Sequence, residues 1–261
     1  RLIEVPQDDD GLQMDVLAAA LDQQPADEPV KLIYVTANYD NPSGSTLPLE
    51  RRTELVRLAR EHRVLVVEDD AYTGIDLEGP PPTSLFEVAG GEGIMRCGTF
   101  SKTIATGLRV GWTVASSELI DVLGFMRFDN GASPLLHRTV LEYLESGAHE
   151  PHIERLRELY RERRDASAAA LHEYCEPYVR FRLPSGGFFH WLTLRDGLDA
   201  HEVTKAAIEQ NVAVTPGTGY YATQGGHDRI RLVYSALPPA ELTEAIRSFA
   251  VALESAASRA G

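Results

Sequence analysis

Cysteine is nearly missing from this 261-residue chain: Cys97 and Cys175 are the only two, far apart and outside any CxxC pair. A disulfide framework and a thiolate metal site are both excluded as organising devices. Positive charge is also short. Twenty-five Lys and Arg stand against 39 Asp and Glu, a formal net charge of −14. That balance argues against a broad footprint for nucleic acid or an anionic membrane surface. No apolar run approaches the roughly 20 residues that span a bilayer, and Arg1 to Asp10 lack the apolar centre of a signal peptide. Low-complexity tracts and internal repeats are absent apart from Pro80-Pro81-Pro82. The expectation is an acidic cytoplasmic protein that binds neither nucleic acid nor membrane, long enough for one large or two smaller cores.

Short apolar runs alternate with helical periodicity over the first two thirds. Leu2 to Val5, Lys31 to Thr36, Val64 to Val67, Gly93 to Phe100 and Val110 to Ala115 read as strands. The continuous β-branched run Val64 to Val67 predicts a strand buried on both faces. Leu12 to Leu21 and Pro48 to Arg63 read as helices, the second with proline in its first turn and Leu55, Leu58 and Ala59 at helical spacing. Helices are also predicted over Glu118 to Phe128, Pro134 to Glu145 and Pro151 to Tyr174. Beyond these, Val179 to Leu183 and Phe188 to Leu194 look like two strands joined by a tight turn at Pro184-Ser185-Gly186-Gly187. A helix near Ala200 to Gln210, strands at Val212 to Thr215 and Ile230 to Tyr234, and a helix from Pro239 close the chain. The expected fold is α/β: a mostly parallel sheet sandwiched by helices over residues 1–155, then a smaller α+β domain over residues 156–261.

In open α/β sheets, ligands bind beyond the carboxyl ends of the strands. Three successive strands here end in polar residues: Asn38 to Gly44, then Glu68-Asp69-Asp70-Ala71-Tyr72, then Ser101-Lys102 with Gly107-Leu108-Arg109. Together they supply an amide, a carboxylate, a phenol, a lysine and an arginine. Pyridoxal phosphate needs such a set: an amine to form a Schiff base, a carboxylate to keep its ring nitrogen protonated, donors for its ring oxygen, and hydroxyls with a guanidinium for its phosphate. Blander readings exist. Asp69 could cap a helix, Asn41-Pro42-Ser43-Gly44 could be an ordinary turn, and Arg231 could sit in a structural ion pair. Lys102, closing an apolar strand, is harder to explain without a role. Arg229 is expected to be solvated, and His190 to be a core histidine.

The segments Asp40-Asn41-Pro42-Ser43-Gly44, Glu68 to Tyr72, Gly98-Thr99-Phe100-Ser101-Lys102-Thr103 with Gly107 to Trp112, Pro184 to Phe189 and Arg229 to Ser235 stand in a familiar order. Through them the chain resembles class I/II aminotransferases of the fold type I pyridoxal-phosphate superfamily, in the branch of 2-aminoadipate and aromatic aminotransferases. The resemblance implies pyridoxal 5'-phosphate as cofactor and amino-group transfer between an α-amino acid and a 2-oxo acid. It implies that Lys102 is the Schiff-base lysine and proton shuttle, that Asp69 pairs with the ring nitrogen, and that Tyr72 and Asn41 hold the ring oxygen. Thr99, Ser101 and Arg109 would bind phosphate, while Arg231, with Asn41, would take the substrate carboxylate. It also implies a homodimer, or a complex with a chain supplying the family's N-terminal segment.

Departures from the family pattern bear on these expectations. The glycine-rich turn and stacking aromatic ring that precede a strand like Leu2 to Val5 in the family are not among the 261 residues. The expectation is a fragment first, a split enzyme second, and a chain without catalysis third. Ala37, Asp40 and Thr106 replace residues usual in the family, and Asp40 disfavours an acidic substrate side chain. Three other readings keep the fold and change the role. One is a different pyridoxal-phosphate reaction, such as oxidation, decarboxylation or elimination. Another is a noncatalytic subunit, and the third is the sensor domain of a GntR-type regulator, against which Ala71-Tyr72 matches the enzymes.

Overall fold

The computed structural model describes residues 1–25, 27–128, 131–195 and 197–260. The chain divides into two compact units. One comprises residues 5–40 and 45–157, the other residues 1–4, 41–44 and 158–261.

The first unit opens with a short antiparallel ladder, β1 (Gln7–Asp8) against β2 (Gly11–Leu12), then helix α1 (Met14–Asp22). The strand expected at Leu2 to Val5 is not formed. No described strand pairs with it, and Leu2 is 85 % exposed, so its backbone has no ladder to join. β3 (Leu32–Val35), α2 (Leu49–His62), β4 (Leu65–Asp70), the one-turn α3 (Leu85–Val88), β5 (Ile94–Thr99) and β6 (Gly111–Val114) follow. The sheet order is β3-β4-β5-β6, with the first three strands parallel and β6 antiparallel to β5. Leu55, Val56, Leu58 and Ala59 of α2 pack with Ile33, Val35 and Val66 into one core, as the helical spacing requires. Arg63 ends α2 in the left-handed conformation, its N–H returned to the last turn.

Along β4 burial alternates. Val66, Glu68 and Asp70 are buried, whereas Leu65, Val67 and Asp69 are half-exposed. The strand is therefore not enclosed on both sides, because its second face adjoins the exposed Leu32 and Tyr34 of β3. Helix α4 (Ser117–Met126) buries none of its residues, and α5 (Pro134–Glu145) buries Val140. Phe125 and Phe128 are 89 % and 94 % exposed.

Helix α6 (His149–Ala170) runs from the first unit into the second and continues as a π turn over Leu171–Cys175. β7 (Val179–Arg180), β8 (Phe189–Leu194), α7 (Ala200–Glu209), β9 (Thr215–Pro216), β10 (Arg229–Val233) and α8 (Pro239–Ala260) complete the chain. The sheet order is β7-β8-β10-β9, antiparallel throughout. Leu242, Ile246, Phe249, Leu253 and Ala256 recur at spacings of three and four along α8 and are all buried, the last four within one core. The expected tight turn at Pro184 to Gly187 is absent, since β7 pairs through Val179 with Leu194 and Arg180 with Thr193. The intervening loop is instead held by side chains: Arg164 donates to Pro184 O at 3.0 Å, and the Tyr234 phenol donates to Gly187 O at 2.7 Å.

His190 lies inside this second core, fully buried, with Nε2 2.7 Å from Ser167 Oγ. Burial first, and then the charge of Arg164 with a smaller contribution from His172, pushes its pKa down to about 3. The unfolded chain takes up that proton near pH 6.5, so this histidine's contribution to stability is complete above pH 6.5 and is lost as pH falls toward 3. We expect His190→Gln to flatten the pH dependence of urea-unfolding stability between about pH 4 and 6. The change would be at most one proton, about 1.4 kcal/mol per pH unit. An unchanged slope would assign the acid sensitivity elsewhere.

Candidate functional site

Three adjacent acids close β4, and the alternation of the strand gives them different roles. Glu68 points to the helix-covered face and accepts from the N–H groups of Leu85 and Phe86 at 2.9 and 3.1 Å, capping α3. Burial still pushes its pKa above the usual carboxylate range. Asp70, on the same face, accepts from Arg96 Nε at 2.8 Å and from Asn38 at 3.3 Å, and Thr73 also donates to it. Asp69 lies on the opposite, half-exposed face. Its carboxylate accepts from the Tyr34 phenol, whose pKa is raised by burial and then by that carboxylate. Tyr34 is a partner that the residue pattern did not single out. Alternation alone could not have found it, because it is the pairing of Tyr34 with Val67 that puts Tyr34 on the face of Asp69.

Asp69 pairs in register with Cys97 on β5, so Thr99, two residues on, shares its face. Thr99 Oγ1 donates to Ser101 Oγ at 2.9 Å and accepts from Ser101 N at 3.1 Å, which shapes the turn after β5. Lys102 sits in that turn, half-buried. His152 Nε2 lies 2.9 Å from Thr103 O, and Ile104 N donates to Phe100 O at 2.8 Å, so the turn is fixed on both sides of the lysine. Gly74, at φ +95°, brings the Tyr72 turn up to it: a Cβ there would lie 3.4 Å from Thr103 Cγ2. Tyr72 itself is 6 % exposed. Arg109 closes a short 3₁₀ turn (Thr106–Leu108) at φ 52° and is exposed. Among the described residues neither Lys102 nor Arg109 has an ion-pair partner.

Asn41 and Arg231, both in the second unit, are brought together. Arg231 Nη1 donates to Asn41 Oδ1 at 2.7 Å. The Asn41–Pro42 peptide is cis, and Gly44 at φ +70° packs so tightly that a Cβ would lie 3.1 Å from Pro184 and 3.3 Å from Phe189 O. The Arg231 guanidinium lies 4.5 Å from the ring centre of Phe189 and 5.1 Å from that of Tyr220. Neither ring was picked out from the residue pattern. Arg229 is not solvated in a turn; it opens β10 and donates to Thr193 Oγ1, next to Asp228. Pairing β10 against β8 puts Arg229 opposite Thr193, and that register could not be read from Arg229 alone.

An α/β unit whose β4 ends in Asp69-Asp70, with a phenol, a lysine and an arginine past its strand ends, and an antiparallel unit carrying Arg231 point to a class of ligand-binding α/β proteins within which one family is matched. A sequence model of that family, aminotransferase class I and II, matches residues 1–249, and the chain belongs to it. It is 33 % identical over 260 residues to the 2-aminoadipate transaminase of Thermus thermophilus, covering 97 % of this chain and 64 % of that protein. It is also 32 % identical to the uncharacterized HTH-type transcriptional regulator YisV of Bacillus subtilis, over 96 % of this chain and 51 % of the regulator. The crystal structure of Pyrococcus horikoshii kynurenine aminotransferase, in complex with PMP, superposes with a TM-score of 0.91 at 31 % identity, covering 97 % of this chain and 63 % of that one. The chain thus spans between half and two thirds of the length of these relatives. Among the described residues no helix is long and apolar enough to cross a membrane.

Proposed function

We propose that the chain belongs to a pyridoxal 5'-phosphate-dependent aminotransferase that moves an amino group between an α-amino acid and a 2-oxo acid. The observation that carries this reading is a pair of cations without carboxylate partners among the described residues, Lys102 and Arg109, following a sheet whose half-exposed Asp69 is the one β4 acid not spent on helix capping or on Arg96. That donor set fits the cofactor in charge and in kind. Asp69 would answer the protonated ring nitrogen, and Tyr72 with Asn41 the ring oxygen. Thr99, Ser101 and Arg109 would answer the phosphate. When bound, pyridoxal phosphate would supply an electrophilic aldehyde for an amine and an electron sink for the α-carbon. Lys102 would be the point of covalent attachment, and its amine, once released, would carry the proton taken from the α-carbon. Arg231 would hold the substrate carboxylate, with Asn41 Oδ1 orienting the guanidinium.

The same proposal extends to the assembly. Residues 1–155 would be the cofactor-binding domain and 156–261 the small domain of a cytoplasmic enzyme. That enzyme would be a homodimer, or would combine with a chain supplying the family's N-terminal segment, with no nucleic-acid or membrane partner.

Full-length protein loaded with cofactor and given an amino acid with 2-oxoglutarate should produce glutamate stoichiometrically. Ammonia, peroxide or carbon dioxide in its place would overturn transfer in favour of another reaction of the same cofactor. The 32 % identity to a transcriptional regulator favours one second reading, a sensing domain. That reading expects cofactor binding with no turnover of any amino acid.

A further inference from the structure

Arg231 has less holding it than a clamp should. Its one hydrogen bond of ordinary length goes to Asn41. The next contact, Nη2 to Thr215 Oγ1, is 3.5 Å, and the buried Nε has no partner among the described residues. The plane of the guanidinium is set by the two rings on which it rests. Phe189 is fixed by the sheet, since it pairs with Val233 of β10. Tyr220 is not in a strand. It ends a short 3₁₀ turn (Gly217–Tyr220), edge-on to Trp191 at 5.8 Å, and the chain runs directly from it into a loop.

The Glu4 side chain is hydrogen-bonded to that loop. Glu4 Oε2 accepts from Ala222 N at 3.0 Å, from Thr223 N at 3.1 Å and from Thr223 Oγ1 at 3.1 Å. Three donors on one carboxylate oxygen make a charge-assisted anchor. It joins residues 218 and 219 positions apart, two and three places after the ring. Glu4 and this loop belong to the same compact unit.

We propose that Tyr220 is a positioning residue for Arg231, and that Glu4 acts on Arg231 through the loop carrying Tyr220. The ligand class is the α-carboxylate of an amino or 2-oxo acid, so the proposal rests on the reading of Arg231 given above. Cation–π contact of a partly desolvated guanidinium is worth enough to change carboxylate affinity about three- to thirty-fold.

The test uses full-length, cofactor-loaded protein and two readouts: calorimetric affinity for 2-oxoglutarate, and the split between KM and kcat for an amino acid. Tyr220→Leu should weaken 2-oxoglutarate binding about tenfold, with KM raised and kcat little changed, and Tyr220→Phe should restore it to within about twofold. Glu4→Gln should weaken it about fivefold alone and add less than about twofold to Tyr220→Leu, because coupled residues are not additive. Affinity for the decarboxylated amine should stay constant throughout. Arg231→Leu sets the reference. If it abolishes carboxylate binding while Tyr220→Leu leaves affinity intact, the positioning role is overturned. A full Glu4→Gln effect on top of Tyr220→Leu overturns the route through the ring. No effect of Arg231→Leu removes the clamp itself, and the proposal with it.

Discussion

On the proposed function, replacing Lys102 with alanine should lower amino transfer by about 10⁴-fold, the upper range for loss of a proton-transferring group, because the same amine would also form the covalent attachment. The expectation follows from how the lysine is presented. Its turn is fixed by Thr99 and Ser101 on one side and by His152 and Ile104 on the other. Among the described residues no acid neutralises the ammonium. A structural lysine would be expected to have such a partner. Borohydride reduction of full-length protein with cofactor should label the peptide containing residue 102, and mass spectrometry should find no label in Lys102→Ala. Lys102→Arg separates charge from chemistry, since it keeps the cation and still loses the rate. If Lys102→Ala retains more than about a tenth of the activity, the amine is not the proton carrier.

The β4 acids show what was legible beforehand and what was not. That polar residues follow an apolar run is a property of the sequence alone, but β4 continues three residues past the expected end at Val67 and takes all three acids into the strand. Which acid is spare depends on which face the helices cover. Glu68 and Asp70 are engaged because α3 and Arg96 lie on their side. Asp69 is distinguished by half a pleat. Long periodic helices such as α2 and α8 announced themselves, because their buried stripes are local. The β7–β8 connection did not, because its loop is held by Arg164 and Tyr234, residues 20 and 47 positions away. The rings on Arg231 were equally hidden. Phe189 reaches it by ladder register, and Tyr220 from the end of a turn whose following loop bonds to Glu4. Local pattern reveals where apolar runs give way to polar residues. Contacts made by long-range register or by a remote carboxylate leave no trace in spacing.

The largest loss of stability is expected from Arg52→Met. Arg52 is 0 % exposed, yet among the described residues it has no ion-pair partner; backbone and an amide satisfy it instead. Nε donates to Leu47 O at 2.7 Å, Nη2 to Ala37 O at 2.9 Å and also to Asn38 Oδ1, and Nη1 to Thr83 O at 3.3 Å. Burial pulls its pKa down, while Glu68 and Asp70 act in the opposite sense from farther away. Methionine fills part of the volume but leaves three carbonyls without that donor, each costing about 1–3 kcal/mol where no other donor reaches it. Glu68 and Asp70 also lose a nearby positive charge. A total loss of about 3–5 kcal/mol follows, most of it from those acceptors. Arg52 spans the two ends of the segment from Ala37 to Leu47, which carries Asn41 and is otherwise closed by Leu47 N to Ala37 O at 2.9 Å. The denaturant midpoint should therefore fall with little change in slope. Arg52→Lys should recover less than half, because one ammonium cannot reproduce the fork. A loss below about 1 kcal/mol would mean that water or rearranged backbone takes over those acceptors, and that this segment is held from elsewhere.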